Sequence, residues 1–187
     1  NLLGHKDSPA KIQPASVGWY YELIQYGGKI AANHYSIEGT KGNGLEIRGG
    51  TIDAENHLQN GSFSGGTGNA LLTLSGIDLG TGLTVDTIVF NARIASGKKY
   101  PEYNVERTSG TGRITFTNYD GTFYGKQYQN DKNSEEFIKW QTIDGYYWTG
   151  NAGDGRWNSK HNWDKESVPG ANDVVILDHS QLTGAAA

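Results

Sequence analysis

The stretch Gly61-Ser62-Phe63-Ser64-Gly65 decides the fold, because its strand-then-turn shape returns along the chain. Tyr35-Ser36-Ile37-Glu38-Gly39 precedes it, and Ile88-Val89-Phe90-Asn91 and Ile114-Thr115-Phe116-Thr117-Asn118 follow. Aligning these stretches brings a comparable apolar position to Ile12, Ile37, Phe63, Phe90, Phe116 and Ile143, in steps of 25, 26, 27, 26 and 27. A fixed period in the range of roughly 20–50 residues marks stacked supersecondary units. With strand-like units the natural stack is a parallel β-helix, one coil per period. Ile37, Phe63, Phe90 and Phe116 then form one internal ladder, and Leu45, Ile47, Leu72 and Leu74 a second. Gly39, Gly49, Gly50, Gly65, Gly66 and Gly76 supply the positive φ that the corners need.

The remaining texture agrees. Short β-type runs at Gly18–Ile24, Leu45–Ile47, Leu71–Leu74, Leu83–Val85, Thr87–Phe90 and Arg113–Phe116 are bounded by Gly, Asn, Asp or Ser. Several alternate apolar with polar residues, as a strand with one buried face does. A single helical turn is expected at Ser134-Glu135-Glu136-Phe137-Ile138, with Ser134 as cap. The expected fold is all-β, a right-handed parallel β-helix over residues 1–140. A β-sandwich of antiparallel strands is the alternative. Beyond Trp140 the sequence turns aromatic-rich and irregular, so residues 141–187 are expected to hold a Trp-rich cap element. Asp173–Asp178 would be the first strand of a following unit.

Composition narrows the function. The 187 residues include 27 Gly, no Cys and no Met, and carry a net charge of −4. Without Cys there is no thiol catalysis, disulfide or Cys-based zinc site, and an exposed, oxidising location is compatible. The acidic balance argues against nucleic acid or an anionic membrane as partner. No signal-peptide core or transmembrane stretch is found. With no Met even at position 1, the chain is expected to begin inside a longer parent protein or after a cleaved signal.

Gly112–Asn118, Gly121-Thr122-Phe123-Tyr124-Gly125, Asn130–Asn133 and Ile138-Lys139-Trp140 together resemble a module of very large surface proteins of Bacteroidetes. There a coil of the form ITFxNxxGxFxG leads into an acidic, Asn-rich turn and a closing IxW. Gly44–Ile47, Asn60–Gly66 and Leu71–Leu74 are similar to its upstream part. Lys132 departs from the pattern by standing where proline is frequent. Tyr147-Trp148-Thr149-Gly150, Gly155-Arg156-Trp157, Asn162-Trp163 and Val168-Pro169-Gly170 resemble an element that opens the next unit in these proteins and occurs in autotransporter-like passengers. The resemblance covers about Leu45 to Leu177. It implies export across the outer membrane by the type IX secretion system and an extracellular, cell-surface location. It further implies an adhesin or gliding-motility-type repeat segment, with other segments of the parent chain and the secretion machinery as partners.

Three constellations bear on chemistry. Trp148, Trp157 and Trp163, with Tyr147, form either a mini-core covering the end of the coil stack or a platform for sugar rings. Asp131, Asn133 and Glu135 offer oxygen ligands at alternate positions, as calcium requires, but without the Gly and terminal Glu of a regular loop. Asn151, Gly153, Asp154 and Asp164 form a weaker calcium set. No other cofactor is expected. Polysaccharide lyases and glycosidases also use β-helices and need converging carboxylates. Here the acids are scattered, although a separation of 25 would let stacking bring Asp53 toward Asp78, with Arg48 and His57 nearby. The expected function is non-catalytic: a stalk or adhesive repeat segment. Carbohydrate binding through the Trp cluster and a polysaccharide-degrading activity are the two alternatives.

Overall fold

The computed structural model describes residues 1–95, 98–132, 137–141 and 145–177. The chain divides into two compact units, Asn1–Thr142 and Ile143–Ala187. In the first, strands stack in parallel from coil to coil. One sheet collects Leu2–Leu3, Ala10–Ile12, Lys29–Glu38, Thr51–Ser64, Leu83–Asn91, Ile114–Gly121 and Ile138–Gln141. A second collects Tyr21–Tyr26, Thr40–Arg48, Ala70–Ser75, Tyr103–Arg107 and Asn130–Asp131, and Ile77–Asp78 pairs with Gly110–Thr111 as a short third. Every pairing between coils is parallel, and the hairpin Arg93–Ala95 with Lys98–Tyr100 is the antiparallel exception among the named strands. The first unit is therefore a β-helix. A sandwich would need antiparallel neighbours.

The inward column follows the period through its first four positions: Ile12 pairs with Ile37, Ile37 with Phe63 and Phe63 with Phe90. Their rings pack accordingly, Tyr35 edge-on to Phe63 at 5.7 Å and Phe63 stacked on Phe90 at 5.5 Å. The column then departs from the expected register. Phe90 pairs with Gly121, while Phe116 pairs with Val85 and Trp140. The reason is an insertion: Ser64 reaches Ala70 directly, but the equivalent path from Asn91 to Tyr103 carries the hairpin. The interior closes nonetheless. Phe116 lies edge-on to Phe90 at 5.8 Å and stacks on Trp140 at 4.6 Å, and Phe123, fully buried, joins them. Ile143 lies outside the described residues. So do Ser134, Glu135 and Glu136 of the expected helical turn, while Ile138 from that turn opens a strand.

The second column is Leu23–Leu45–Leu72–Val105 beside Gln25–Ile47–Leu74–Arg107. Arg107 is completely buried at an apolar position. Its Nη2 donates to the Thr111 carbonyl at 2.7 Å, and its guanidinium lies 5.0 Å from the Phe137 ring centre. Burial pulls its pKa down, against the pull of Asp131 and Asp78.

The strands of the first sheet bend at a corner where non-glycine residues adopt left-handed backbone. His34 (φ 50°), Asn60 (54°), Thr87 (54°) and Asn118 (47°) fall opposite one another in successive coils. Asn enters that conformation more readily than most residues, and here its amide reaches the adjacent coil. Asn60 donates to Asn33 Oδ1 at 2.9 Å, and Asn118 to Asp86 Oδ1 at 2.7 Å. This corner explains why two expected runs, Leu83–Val85 and Thr87–Phe90, are one bent strand. The six corner glycines named above all carry positive φ. Gly61 is required for a different reason: a Cβ there would stand 2.2 Å from the Tyr35 ring.

Phe63→Ala should destabilise the first unit by about 3–5 kcal/mol, the cost of emptying a packed aromatic site, read from chemical denaturation. Thr87→Asn should stabilise it by roughly 0.5–1 kcal/mol, since a β-branched residue is disfavoured at left-handed φ. A lowered denaturation midpoint for Thr87→Asn would contradict the corner assignment.

Candidate functional site

Two regions gather chemistry-bearing side chains. The first is the outward face of the second sheet. Because Leu45 and Ile47 point inward, Glu46 points outward, and register makes a column of Ile24, Glu46, Thr73, Glu106 and Asn130. Both glutamates are nonetheless buried, Glu106 at 2% exposure. Glu46 accepts from Arg48 Nε at 2.6 Å, Arg48 Nη2 at 2.9 Å and Asn43 Nδ2 at 3.1 Å. The Arg48 bond is the main reason its carboxyl sits below the ordinary range. Glu106 accepts from Asn69 at 3.0 Å and Asn130 at 2.8 Å, and pairs with Lys132 Nζ at 2.8 Å. Thr73 separates the two acids and donates to the Asn43 carbonyl at 2.8 Å. Glu106, Asn69 and Asn130 come from three different coils.

The acids singled out from the sequence have separate partners. Asp53 accepts the backbone N–H groups of Asn56 and Glu55 at 2.9 and 3.0 Å and lies 3.5 Å from Lys29. Asp78 accepts from the Thr111 hydroxyl and from Gly80 N. Both carboxyls are held below the usual range, Asp53 chiefly by the Asn56 amide and Asp78 by Thr111. A general acid needs the opposite shift. Arg48, read as a base, is bound to Glu46 and donates to Tyr26 Oη at 2.6 Å. His57 places Nδ1 3.1 Å from the Ala54 carbonyl. Of the calcium set, Asn133 and Glu135 lie outside the described residues. Asp131 accepts from Phe137 N and Ile138 N at 2.9 and 3.0 Å, tying off the turn. Among the described residues no three His, Asp or Glu side chains gather as metal ligands.

The second region is the Trp element of the second unit. Tyr146–Tyr147 pairs in parallel with Val175–Ile176, and Trp148 bridges Trp163. Asp178, the end of the expected strand, lies outside the described residues. Trp163 is 1% exposed and sits at the centre. Trp157 meets it edge-on at 4.6 Å, Trp148 at 5.0 Å and Tyr146 at 6.3 Å, and its indole N–H donates to the Trp157 carbonyl at 2.9 Å. Such T-shaped contacts stabilise beyond their buried area. Trp163 therefore has no face for a ligand, while Trp157 and Tyr147 keep 50% and 39% of their surface open.

No known protein family, curated protein or solved structure matches the chain.

The loop between Thr149 and Trp163 is held by polar groups. Asn162, completely buried, donates to Asp154 Oδ1 at 2.8 Å and to the Arg156 carbonyl at 3.0 Å, and accepts from Ala152 N at 2.8 Å. Asp154 also accepts from the Ser159 hydroxyl and from Arg156 N. The Ser159 bond, then the Arg156 amide and Asn162, bring its pKa down to about 2. Asp164, from the weaker calcium set, accepts from Tyr147 N at 2.9 Å. In the sequence Asn162 stands only as part of the Asn162-Trp163 motif, yet it is the residue that fixes this loop.

A depressed carboxyl stabilises above its unfolded pKa, near 4 for Asp, and the stabilisation is lost as pH falls toward the folded value. Acidifying toward pH about 2 should therefore release the 149–163 loop and broaden the Trp163 indole N–H signal by NMR. Asp154→Ala should cause the same loosening at neutral pH, and an unchanged signal in that variant would refute the hub.

Proposed function

We propose that the chain is a non-catalytic repeat segment of a large secreted bacterial cell-surface protein, a stalk that gives reach and rigidity to an adhesin. The observation that carries this reading is how the outward polar groups are used. On the second sheet Glu106 binds amides from the coil before and the coil after, and on the first sheet Asp86 accepts from Thr117 and Asn118 of the next coil. Asn91 accepts from Thr122 N in the same manner. Carboxylates saturated with donors from neighbouring coils hold a rod together and are poorly disposed to move protons. The sequence resemblance to Bacteroidetes surface proteins supports the extracellular location and export by the type IX route. It likewise makes the neighbouring segments of the parent chain the first partners. Carbohydrate binding by the second unit is the second reading, carried by the open faces of Trp157 and Tyr147.

Antibody raised against the segment should label intact, unpermeabilised cells that express the parent protein. Label that appears only after lysis would overturn the surface assignment. Within the segment, Glu106→Ala should lower stability by about 1–3 kcal/mol, because the Asn69 and Asn130 amides lose their acceptor. A catalytic carboxylate would behave otherwise, with turnover of a polysaccharide lost and the melting curve unmoved.

A further inference from the structure

Ile12 pairs with Ile37, so the residues that follow this ladder, Gln13, Glu38, Ser64 and Asn91, form one outward column across four coils. At about 4.8 Å per coil, the column is roughly 14 Å long. It differs from the columns described above. Among the described residues the side chains of Gln13, Glu38 and Ser64 make no hydrogen bond within the protein, and Asn91 accepts from Thr122 while its amide nitrogen donates to no one.

The chain leaves the coil at both ends of this column. At the first coil it makes the excursion 13–20, and at the fourth it leaves after Ala92 into the hairpin beginning at Arg93. The two coils between them turn tightly at Gly39 and at Gly65-Gly66, so a cleft of about 520 Å³ opens over the glycines. That is the size of a small-molecule site. Pro14 closes down on Gly39, where a Cβ would stand 2.5 Å from its Cγ. Beyond it a turn, Trp19 N to the Ser16 carbonyl at 3.2 Å with Gly18 at φ 83°, holds the Trp19 indole at the cleft with 65% of its surface open. Among the described lining residues the only ionisable side chains are Glu38 and Tyr20, with no Lys, Arg or His.

We propose that this cleft binds a neutral oligosaccharide along the column. An open indole face stacks on the apolar face of a pyranose ring. A row of amide, carboxylate, hydroxyl and amide groups, offering both donors and acceptors at a spacing close to one sugar ring, matches successive ring hydroxyls. Among the described residues no cation pairs with Glu38, and a carboxylate so placed disfavours uronates and sulfated chains. A proline-rich peptide fits less well, since such segments dock in grooves lined by several aromatic side chains. The site is separate from the Trp163 cluster and does not depend on the stalk reading.

The test is calorimetric titration of the 187-residue chain with cellohexaose, xylohexaose, mannohexaose and hexagalacturonate. At least one neutral hexasaccharide should bind saturably. Trp19→Ala should weaken it by about tenfold or more, as loss of an aromatic anchor does, with an unchanged melting curve. If that variant melts early, Ser64→Arg, which fills the cleft from the opposite wall, should abolish binding instead. The proposal is overturned if no neutral hexasaccharide binds, or if hexagalacturonate binds as tightly. It is also overturned by competition from a polyproline decapeptide, or by binding that survives Trp19→Ala and disappears with Trp157→Ala.

Discussion

Parallel stacking of identical faces is the constraint on which the first unit rests. Each coil sets its inward side chains directly over those of the coil before, so a residue is buried only where the positions one coil away cover it, most often with apolar groups. Ile37, Phe63 and Phe90 meet that demand in sequence, and Tyr35 and Gly61 show how tightly it binds. The Tyr35 ring occupies the space a side chain at Gly61 would need, while its hydroxyl donates to the Leu58 carbonyl at 3.0 Å. A single coil offers nothing for these groups to pack against, so a coil is stable only with neighbours stacked on it.

The same geometry acts on the outward face with the opposite sign. Register puts like positions about 4.8 Å apart, where two carboxylates repel and two amides bond. The structure separates Glu46 from Glu106 by Thr73 and surrounds each with donors. At the left-handed corner, Asn33, Asn60, Asp86 and Asn118 exchange bonds along the axis. Polar side chains thus do outside what aromatic rings do inside: they tie each coil to the next. The second unit replaces this by a local solution, with Trp163 at its centre and the Asn162–Asp154 hub fixing the loop around it.

The period was legible because Ile12, Ile37, Phe63 and Phe90 are bulky, regularly spaced and bounded by turn residues. It failed at Phe116 because spacing assumes equal coils, and the hairpin after Ala92 lengthens one of them. Phe116 still reaches the interior, so burial could be read from residue type where register could not. Asn104-Val105-Glu106-Arg107 reads as a polar surface, so the inward places of Val105 and Arg107 are not legible locally. A buried guanidinium is stabilised by the Thr111 carbonyl and the Phe137 ring, neither of which the local pattern reveals. The Trp element was conspicuous as a cluster. Which indole lies inside and which outside depends on the fold of the 149–163 loop, and spacing carries no such information.

The cleft beside Trp19 was illegible for a more general reason. Its walls come from 13–20, 38–39, 64–66 and 91–92, segments that share no motif and meet only because the coils stack. In a β-helix the inward positions are fixed by burial and many outward ones by bonds between coils, so variation is confined to corners. A corner that lengthens in two coils and stays tight in the two between them must enclose a cleft, whatever residues it carries. Here, among the described residues, the side chains of Gln13, Glu38 and Ser64 and the amide nitrogen of Asn91 stay unpaired, in contrast to the Glu46–Glu106 column one sheet away. Both columns obey the same register. The Gln13–Glu38–Ser64 edge of the cleft therefore has free hydrogen-bonding capacity where the second sheet's face has almost none, and that difference separates a surface able to bind a ligand from one engaged in holding the rod.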